Sequence, residues 1–319
     1  MKFFISADWG TTHLRLRIVE RDSREIIHEV RSSDGIAATH EQWRENGQEQ
    51  EKRLAFYQAV LFRQIQQLQP PPGLSLQDLP VIISGMASSS VGMMELPYQP
   101  VPFHVSGSDL LRVALPATEA FPHSILLVSG ARTAHDVMRG EEVQLAGCPA
   151  SEEVEEELYL FPGTHSKHVL IKEGRVIDFS TYMTGEFFHL LSARSILAAS
   201  VAAGDADLIT AATTAPAFQQ GVKDSRHTPL LHNAFLVRTN QLLGGWTKED
   251  NYHYLSGLVI GEELGYLAGS DTSLTLVCTG RLKENYSMAC EVLGIDFGLI
   301  DADQALVNGH CRLLDMRFP

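Results

Sequence analysis

Two short segments combine small, hydroxyl-bearing and charged residues in a way that suits phosphate chemistry. Asp8-Trp9-Gly10-Thr11-Thr12 follows a strand-like apolar run, Phe3 to Ala7. Glycine permits close backbone approach, threonine hydroxyls donate, and an aspartate can hold Mg²⁺ through water. An ordinary hairpin turn uses the same residue types. The pattern recurs at Gly163-Thr164-His165-Ser166-Lys167, again between two strand-like runs, Leu158 to Phe161 and His168 to Lys172. Phe161 stands where the first segment has Asp8, but Lys167 adds a charge that can act on a transferring phosphoryl group. Its plainer reading is a solvated lysine. Two such turns, one in each half of the chain, are expected to hold a polyphosphate between them.

Three further stretches carry candidate residues. Val81 to Ser84 reads as a buried strand opening into Gly85-Met86-Ala87-Ser88-Ser89-Ser90, whose hydroxyls can donate to a polar acceptor molecule. Another apolar run, Ile125 to Ser129, leads through Gly130 to Asp136, Arg139, Glu141 and Glu142. Asp136 lies nearest the preceding strand end and is the preferred general base, with an Asp136–Arg139 surface pair as the alternative. Leu274 to Cys278 runs into Thr279-Gly280-Arg281-Leu282 and a helix, a position where helix N-termini bind phosphates or where the chain simply turns. The 13 histidines show no metal-ligand spacing, and HExxH, GxSxG and GxxxxGK[ST] are all missing.

The elements that position these residues point to an α/β chain. His13 to Glu20 alternates Leu14 and Leu16 with Arg15 and Arg17, a half-exposed strand. Leu54, Tyr57, Leu61, Ile65 and Leu68 predict one amphipathic helix over 41–69, stopped by Pro70-Pro71-Pro72-Gly73. Residues 135–142 read as helical, as do 185–203, 231–245 and 303–314. The acidic run Glu152 to Glu157 reads as an exposed connection. It separates an N-terminal lobe, 1–152, from a C-terminal lobe, 153–319, each opening on a strand–turn–strand unit as after a duplication.

A chain of 319 residues is long enough for two lobes. The formal net charge of −14 disfavours nucleic-acid binding, though not nucleotide binding through backbone N–H groups. Cys148, Cys278, Cys290 and Cys311 are scattered and read as reduced thiols. No stretch has membrane-spanning length, and the N-terminal apolar run is too short for a signal peptide. A cytoplasmic protein is expected, free of membrane and nucleic-acid partners, with a homodimer allowed.

In order along the chain, ADWGTT, SGMASSSVG, DVMRGEEVQ, FPGTHSKH, TYMTGE, YLSGLVIGEEL and DADQALVNG resemble the motifs of the 2-dehydro-3-deoxygalactonokinases from Ile5 to about Leu313. That resemblance implies the two-lobed actin/hexokinase (ribonuclease H-like) fold, with mixed sheets flanked by helices around an interlobe cleft. It implies phosphoryl transfer from ATP, with Mg²⁺, to the C6 hydroxyl of 2-dehydro-3-deoxy-D-galactonate in galactonate breakdown. Asp8 is then a catalytic and metal-holding residue, alongside Lys167 and Asp136. Gly10, Thr11, Thr12, Gly163, Thr164, Ser166, Thr279 and Gly280 bind nucleotide and phosphate. Gly85, Met86, Ser88, Ser89, Ser90, Arg139 and Glu141 face the sugar acid. The chain departs from the family pattern where Ser88 replaces a glycine and Met93 a tryptophan. Competing readings are another small-molecule kinase of the same fold (for a related sugar acid, a sugar or pantothenate), a polyphosphate phosphatase, and a nucleotide- or sugar-sensing regulator without turnover.

Overall fold

The computed structural model describes residues 2–47, 49–149, 156–202 and 211–316. The chain forms two compact units. One comprises Met1–Glu153, Ile171–Asp178 and Ala302–Pro319, the other Val154–Leu170 and Phe179–Asp301. A single division at residue 152 therefore misplaces the C-terminal stretch, which returns to the first unit. The acidic run thought to link the lobes lies outside the described residues up to position 155. Glu156 and Glu157 already belong to a strand, with Glu157 buried.

The first unit is built on strands β1 (Phe3–Trp9), β2 (Leu14–Glu20), β3 (Ile26–Ser32), β4 (Val81–Gly85), β5 (Gln99–Pro100), β6 (Phe103–His104), β7 (Arg112–Leu115), β8 (Ile125–Val128), β9 (Ala131–Arg132) and β10 (Val137–Met138). Its helices are α1 (Ile36–Glu45), α2 (Arg53–Ile65) and α3 (Glu141–Gly147). The main sheet runs β3-β2-β1-β4-β8-β7. β1 is antiparallel to β2 and parallel to β4, which is in turn parallel to β8. β1 and β4 are buried along almost their whole length, as strands covered on both faces must be. Ile5, Leu16, Ile83 and Leu127 of the sheet form one core with Tyr57 and Leu61 of α2.

The second unit carries β11 (Glu156–Phe161), β12 (Ser166–Lys172), β13 (Arg175–Tyr182), β14 (Ser273–Val277) and β15 (Phe297–Ile300). With them go α4 (Thr184–Arg194), α5 (Ala211–Asp224), α6 (Leu230–Leu243), α7 (Lys248–Leu264) and α8 (Gly280–Leu293). The strand order β13-β12-β11-β14-β15 repeats β3-β2-β1-β4-β8 of the first unit, and β14 is parallel to both β11 and β15. The outer part of β13 belongs to the first unit, where Arg175 and Val176 pair with β6. The last helix, α9 (Ala302–Asp315), packs on α3. This doubled order of mixed strands flanked by helices is the ribonuclease H-like arrangement of actin and hexokinase.

Each unit also contains a helix pair packed through glycine. A Cβ on Gly147 of α3 would lie 1.8 Å from the Ala305 carbonyl oxygen, and one on Gly309 of α9 would lie 2.0 Å from that of Val143. In the second unit Gly221 of α5 meets the Tyr254 carbonyl, and Gly257 of α7 meets that of Phe218, at 2.2 and 2.1 Å. The glycines in the YLSGLVIGEEL and DADQALVNG stretches thus serve close helix crossing.

Several expectations change. The helix over 41–69 is two helices, because Gly47 adopts a left-handed φ of 59° after Asn46. The stretch 135–142 is not continuous helix: a turn and the short β10 precede Gly140, whose φ of 112° starts α3. Arg17 is not on an exposed face. It is buried, and donates to Glu29 at 2.6 Å and to Asp303 of α9 at 2.5 Å. A helix from the other end of the chain covers that face, which local alternation does not reveal.

Candidate active site

In the first unit, the turn between β1 and β2 is pinned by the helix that follows. The backbone N–H groups of Ile36 and Ala37, at the start of α1, donate to the carbonyls of Gly10 and Thr11 at 2.9 and 3.0 Å. The orphan N–H groups of a helix terminus are thereby satisfied by the loop itself. Gly35 makes this approach possible, since a Cβ there would lie 2.2 Å from the Thr12 carbonyl carbon. With the Gly10 and Thr11 carbonyls turned to α1, Thr11 and Thr12 keep exposed side chains, and their backbone N–H groups donate to nothing among the described residues. Such a turn is ready for an anion.

Asp8 sits at the end of β1, opposite Arg15 in the ladder and next to Ser84 of β4. Burial pushes its carboxyl above the ordinary carboxylate range, opposed by Arg15 and Arg17. Arg15 is itself held by Asp303, at 2.5 Å. Among the described residues the Asp8 carboxylate carries no hydrogen bond or ion pair, which suits a group that holds a metal ion through water.

The structure brings Gly85 against Asp8, and Gly140 against Gly85. Gly85, at φ 86°, would place a Cβ 2.9 Å from the Trp9 carbonyl oxygen and 3.6 Å from Asp8 Oδ1. Gly140 in turn would place its own Cβ 3.7 Å from the Gly85 Cα. Both oxygens of buried Glu142 accept the Gly140 N–H, at 2.9 and 2.8 Å. Burial, reinforced by Glu141, pushes the Glu142 carboxyl up to about 8. It therefore holds its proton more tightly than an ordinary carboxylate. Asp136 is half-buried and its Oδ1 accepts the Val137 N–H at 2.7 Å. Glu141 accepts the Arg139 N–H at 3.1 Å.

The serine run is less available than its composition suggests. Ser88 is fully buried, and Arg139 donates to its hydroxyl at 2.7 Å while stacking over the Tyr98 ring, 3.9 Å from its centroid. Ser88 and Arg139 therefore brace the loop and are not open donors for a sugar acid. Ser89 Oγ is buried and unpartnered among the described residues, and Ser90 is exposed. Met86 begins a short 3₁₀ turn that ends at Ser88. Buried Met93 belongs to the core.

The second unit repeats the pinned turn. The Glu186 N–H near the start of α4 donates to the Thr164 carbonyl at 3.0 Å. Gly185 lets α4 in, as a Cβ there would lie 2.6 Å from the Gly163 oxygen. Thr164 and His165 are exposed, their backbone N–H groups donating to nothing among the described residues, and His165 Nε2 meets Glu186 at 2.5 Å. Ser166, read from the sequence as a phosphate donor, is instead fully buried. Its hydroxyl takes the Gly163 N–H at 3.4 Å and lies 3.0 Å from Tyr286 Oη. Tyr286 donates to Glu263 at 2.6 Å, and Glu263 also receives His168 Nε2 at 2.8 Å. This buried network supports the turn from behind, and no local sequence signal marks it. Lys167 is neither on the turn nor solvated. It lies in β12, buried, with Nζ donating to Thr181 at 2.8 Å.

Thr279 and Gly280 head α8. Gly280 has a φ of 56°, and no side chain caps the helix. The next residue, Arg281, lines a pocket of about 240 Å³ that also touches Gly163, Gly185, Phe188, Tyr252 and His253. The pocket lies wholly within the second unit and joins the pinned turn to the N-terminus of α8.

The family model for 2-keto-3-deoxy-galactonokinase matches residues 8–313. A probable 2-dehydro-3-deoxygalactonokinase of Rhizobium meliloti (strain 1021) is 33% identical over 96% of this chain and 95% of its own length. The 2-dehydro-3-deoxygalactonokinase of Escherichia coli (strain K12) is 30% identical over the same shares. A crystal structure of a 2-dehydro-3-deoxygalactonokinase-type protein from Sinorhizobium meliloti superposes with a TM-score of 0.77 at 31% identity, covering 99% of this chain and 98% of that one. With the motif stretches in place and the match running nearly end to end, the chain belongs to the 2-keto-3-deoxy-galactonokinase family.

Proposed function

We propose that this protein transfers the γ-phosphoryl group of ATP to the C6 hydroxyl of 2-dehydro-3-deoxy-D-galactonate, in the breakdown of galactonate. Family membership supports the reaction. The observation that carries it on the chain itself is the pair of pinned turns, each with backbone N–H groups left unpaired by the fold. Phosphoryl transfer asks a protein mainly to position groups and stabilise charge. Thr11 and Thr12 in one unit, and Thr164 and His165 in the other, supply neutral donors for that purpose.

Asp8 is the residue suited to Mg²⁺, and no group of three or more His, Cys, Asp or Glu side chains able to hold a metal exists among the described residues. A single carboxylate matches an ion that keeps most of its water and phosphate ligands. When bound, Mg²⁺ would neutralise the charge of the phosphates. Phe188 and Tyr252, in edge-on contact at 5.0 Å between centroids, give the pocket of the second unit an apolar wall for a nucleoside.

On the acceptor side, Asp136 is the proposed base, because Glu142 is buried with both oxygens spent on the Gly140 N–H. A primary hydroxyl needs a carboxylate within reach to align it and take its proton. Ser89, Ser90 and the Gly85 turn would face the sugar acid, with Ser88 and Arg139 holding the loop. Four free cysteines, all buried, fit a reducing cytoplasm, and no described helix is long and apolar enough to cross a membrane. Coupled ADP release against a panel of sugar acids, with ATP alone as the blank, tests the assignment. Release that is independent of any sugar acid would favour the phosphatase reading.

A further inference from the structure

In the first unit, the turn after Ser88 is gripped by α2. Arg53 donates to the Ser90 carbonyl at 2.6 Å, and the Tyr57 hydroxyl donates to the Val91 carbonyl at 2.7 Å. The Gly92 N–H closes the turn on the Ser89 carbonyl at 2.9 Å. With both tip carbonyls taken, the Ser90 and Val91 N–H groups donate to nothing among the described residues, and both residues are exposed. The Ser90 carbonyl and the Val91 N–H belong to one planar trans peptide, so that N–H points away from Arg53. The turns at Gly10 and Gly163 have the same construction, with carbonyls engaged by a helix and N–H groups left open. Successive free N–H groups on a turn make a concavity for an anion.

Arg53 gives a second and independent sign of an anion. It is 8% exposed, forms no ion pair among the described residues, and its Nε is buried without a partner. A buried charge without a counterion is costly. Its guanidinium polarises the Ser90–Val91 peptide, which strengthens the Val91 N–H as a donor to a negative group. We infer that the Ser90 and Val91 N–H groups hold the carboxylate of the acceptor, with Arg53 as the positioning residue behind them. This rests on the reading of the Gly85–Ser90 stretch as the sugar-acid side. The nucleotide has the two pinned turns for its phosphates, and the carboxylate is the anion that the acceptor brings. Hydrogen bonds from N–H groups to a carboxylate are of the stronger, charge-assisted kind.

The test is steady-state kinetics of the whole protein, with 2-dehydro-3-deoxy-D-galactonate and its neutral 1-amide as acceptors. Ser90→Pro removes one N–H from a place that accepts proline. Ser89 is extended at φ −86° and ψ 172°, as a residue before proline prefers, and proline suits the second position of a turn. Ser90→Ala measures the share of the hydroxyl, and Arg53→Gln removes the charge while keeping a donor. Relative to Ser90→Ala, Ser90→Pro is expected to raise the KM for the acid about tenfold, the worth of one hydrogen bond to a charged group. Arg53→Gln should do the same relative to the unaltered protein. In both, the preference for acid over amide should fall and the KM for ATP should stay as it was. A preference unaltered in either variant overturns the inference, and so does a KM that rises as much for ATP as for the acid. Ser90→Trp, which crowds the turn, tests the underlying reading apart from the carboxylate site. If it blocks both acceptors while Ser90→Pro leaves the preference unaltered, that reading stands and the inference falls. If Ser90→Trp uses both acceptors normally, the reading fails and takes the inference with it.

Discussion

Gly35 lies against Thr12 so closely that a Cβ on the glycine would fall 2.2 Å from the threonine carbonyl carbon. Gly185 stands in the same relation to the Gly163–Thr164 turn. Each glycine lets a helix N-terminus bond the carbonyls of a turn and leaves the turn's N–H groups free. Gly35→Ala must push backbone against backbone, at a cost of about 1–3 kcal/mol. Both Gly35→Ala and Gly185→Ala are expected to lower the melting temperature and raise the KM for ATP at least tenfold. An unaltered KM in both variants would mean that the turns do not bind the nucleotide.

Asp8 is held in its site against its own electrostatics. Its carboxyl pKa is raised by burial. The folded form therefore binds the proton more tightly than the unfolded chain, and ionised Asp8 costs stability above that range. Asp8→Asn should remove the cost and raise the melting temperature at pH 7 while abolishing Mg²⁺-dependent turnover. A variant less stable than the parent would contradict the assignment of Asp8 as a functional, destabilising carboxylate.

Glu142 and His310 give the first unit opposite pH responses. His310 bridges Ser6 and Ser84 at 2.8 and 3.0 Å, and burial lowers its pKa to about 3. The unfolded chain binds that proton first, so stability rises with pH up to the ordinary histidine range. Glu142, raised to about 8, has the reverse sign: the folded state keeps the proton longer, and stability falls as pH climbs towards 8. From about pH 7 to 8 most of the histidine contribution is in place, and the falling slope is that of Glu142, joined by Asp8 wherever its raised carboxyl still titrates. Urea melts should show stability falling across this window, and Glu142→Gln should flatten the fall. An equal slope in that variant would sink the account.

Much of this arrangement is legible in the sequence. Small residues after an apolar strand mark both turns, because a turn must carry them wherever backbone approaches a ligand or a helix. What stays hidden is whatever depends on distant chain. Ser166 looks like a donor and is buried, since Tyr286, 120 residues on, takes its hydroxyl. Lys167 looks like a turn residue, poised to act on a phosphoryl group or solvated, and lies inside β12 beside Thr181. Arg17 alternates as a surface residue should, yet α9 covers it. Gly35 and Gly185 escape notice because a glycine next to a helix start reads as an ordinary loop residue until the partner turn is located.

Asp136 separates chemistry from binding. Its Oδ1 accepts the Val137 N–H, a bond that an asparagine carbonyl can also accept. Asp136→Asn should therefore keep the fold and the affinity for ATP while kcat falls by roughly 10²–10⁴-fold, the usual worth of a positioned base. Near-normal kcat would move the role to Glu141.

The most direct test of the central claim is the identity of the product. The protein should be incubated with ATP, Mg²⁺ and 2-dehydro-3-deoxy-D-galactonate, and the sugar acid followed by phosphorus and carbon NMR. The account predicts one new phosphate monoester whose phosphorus couples to C6, formed in step with ADP. Inorganic phosphate in place of an ester, or an ester whose phosphorus shows no coupling to C6, would contradict it.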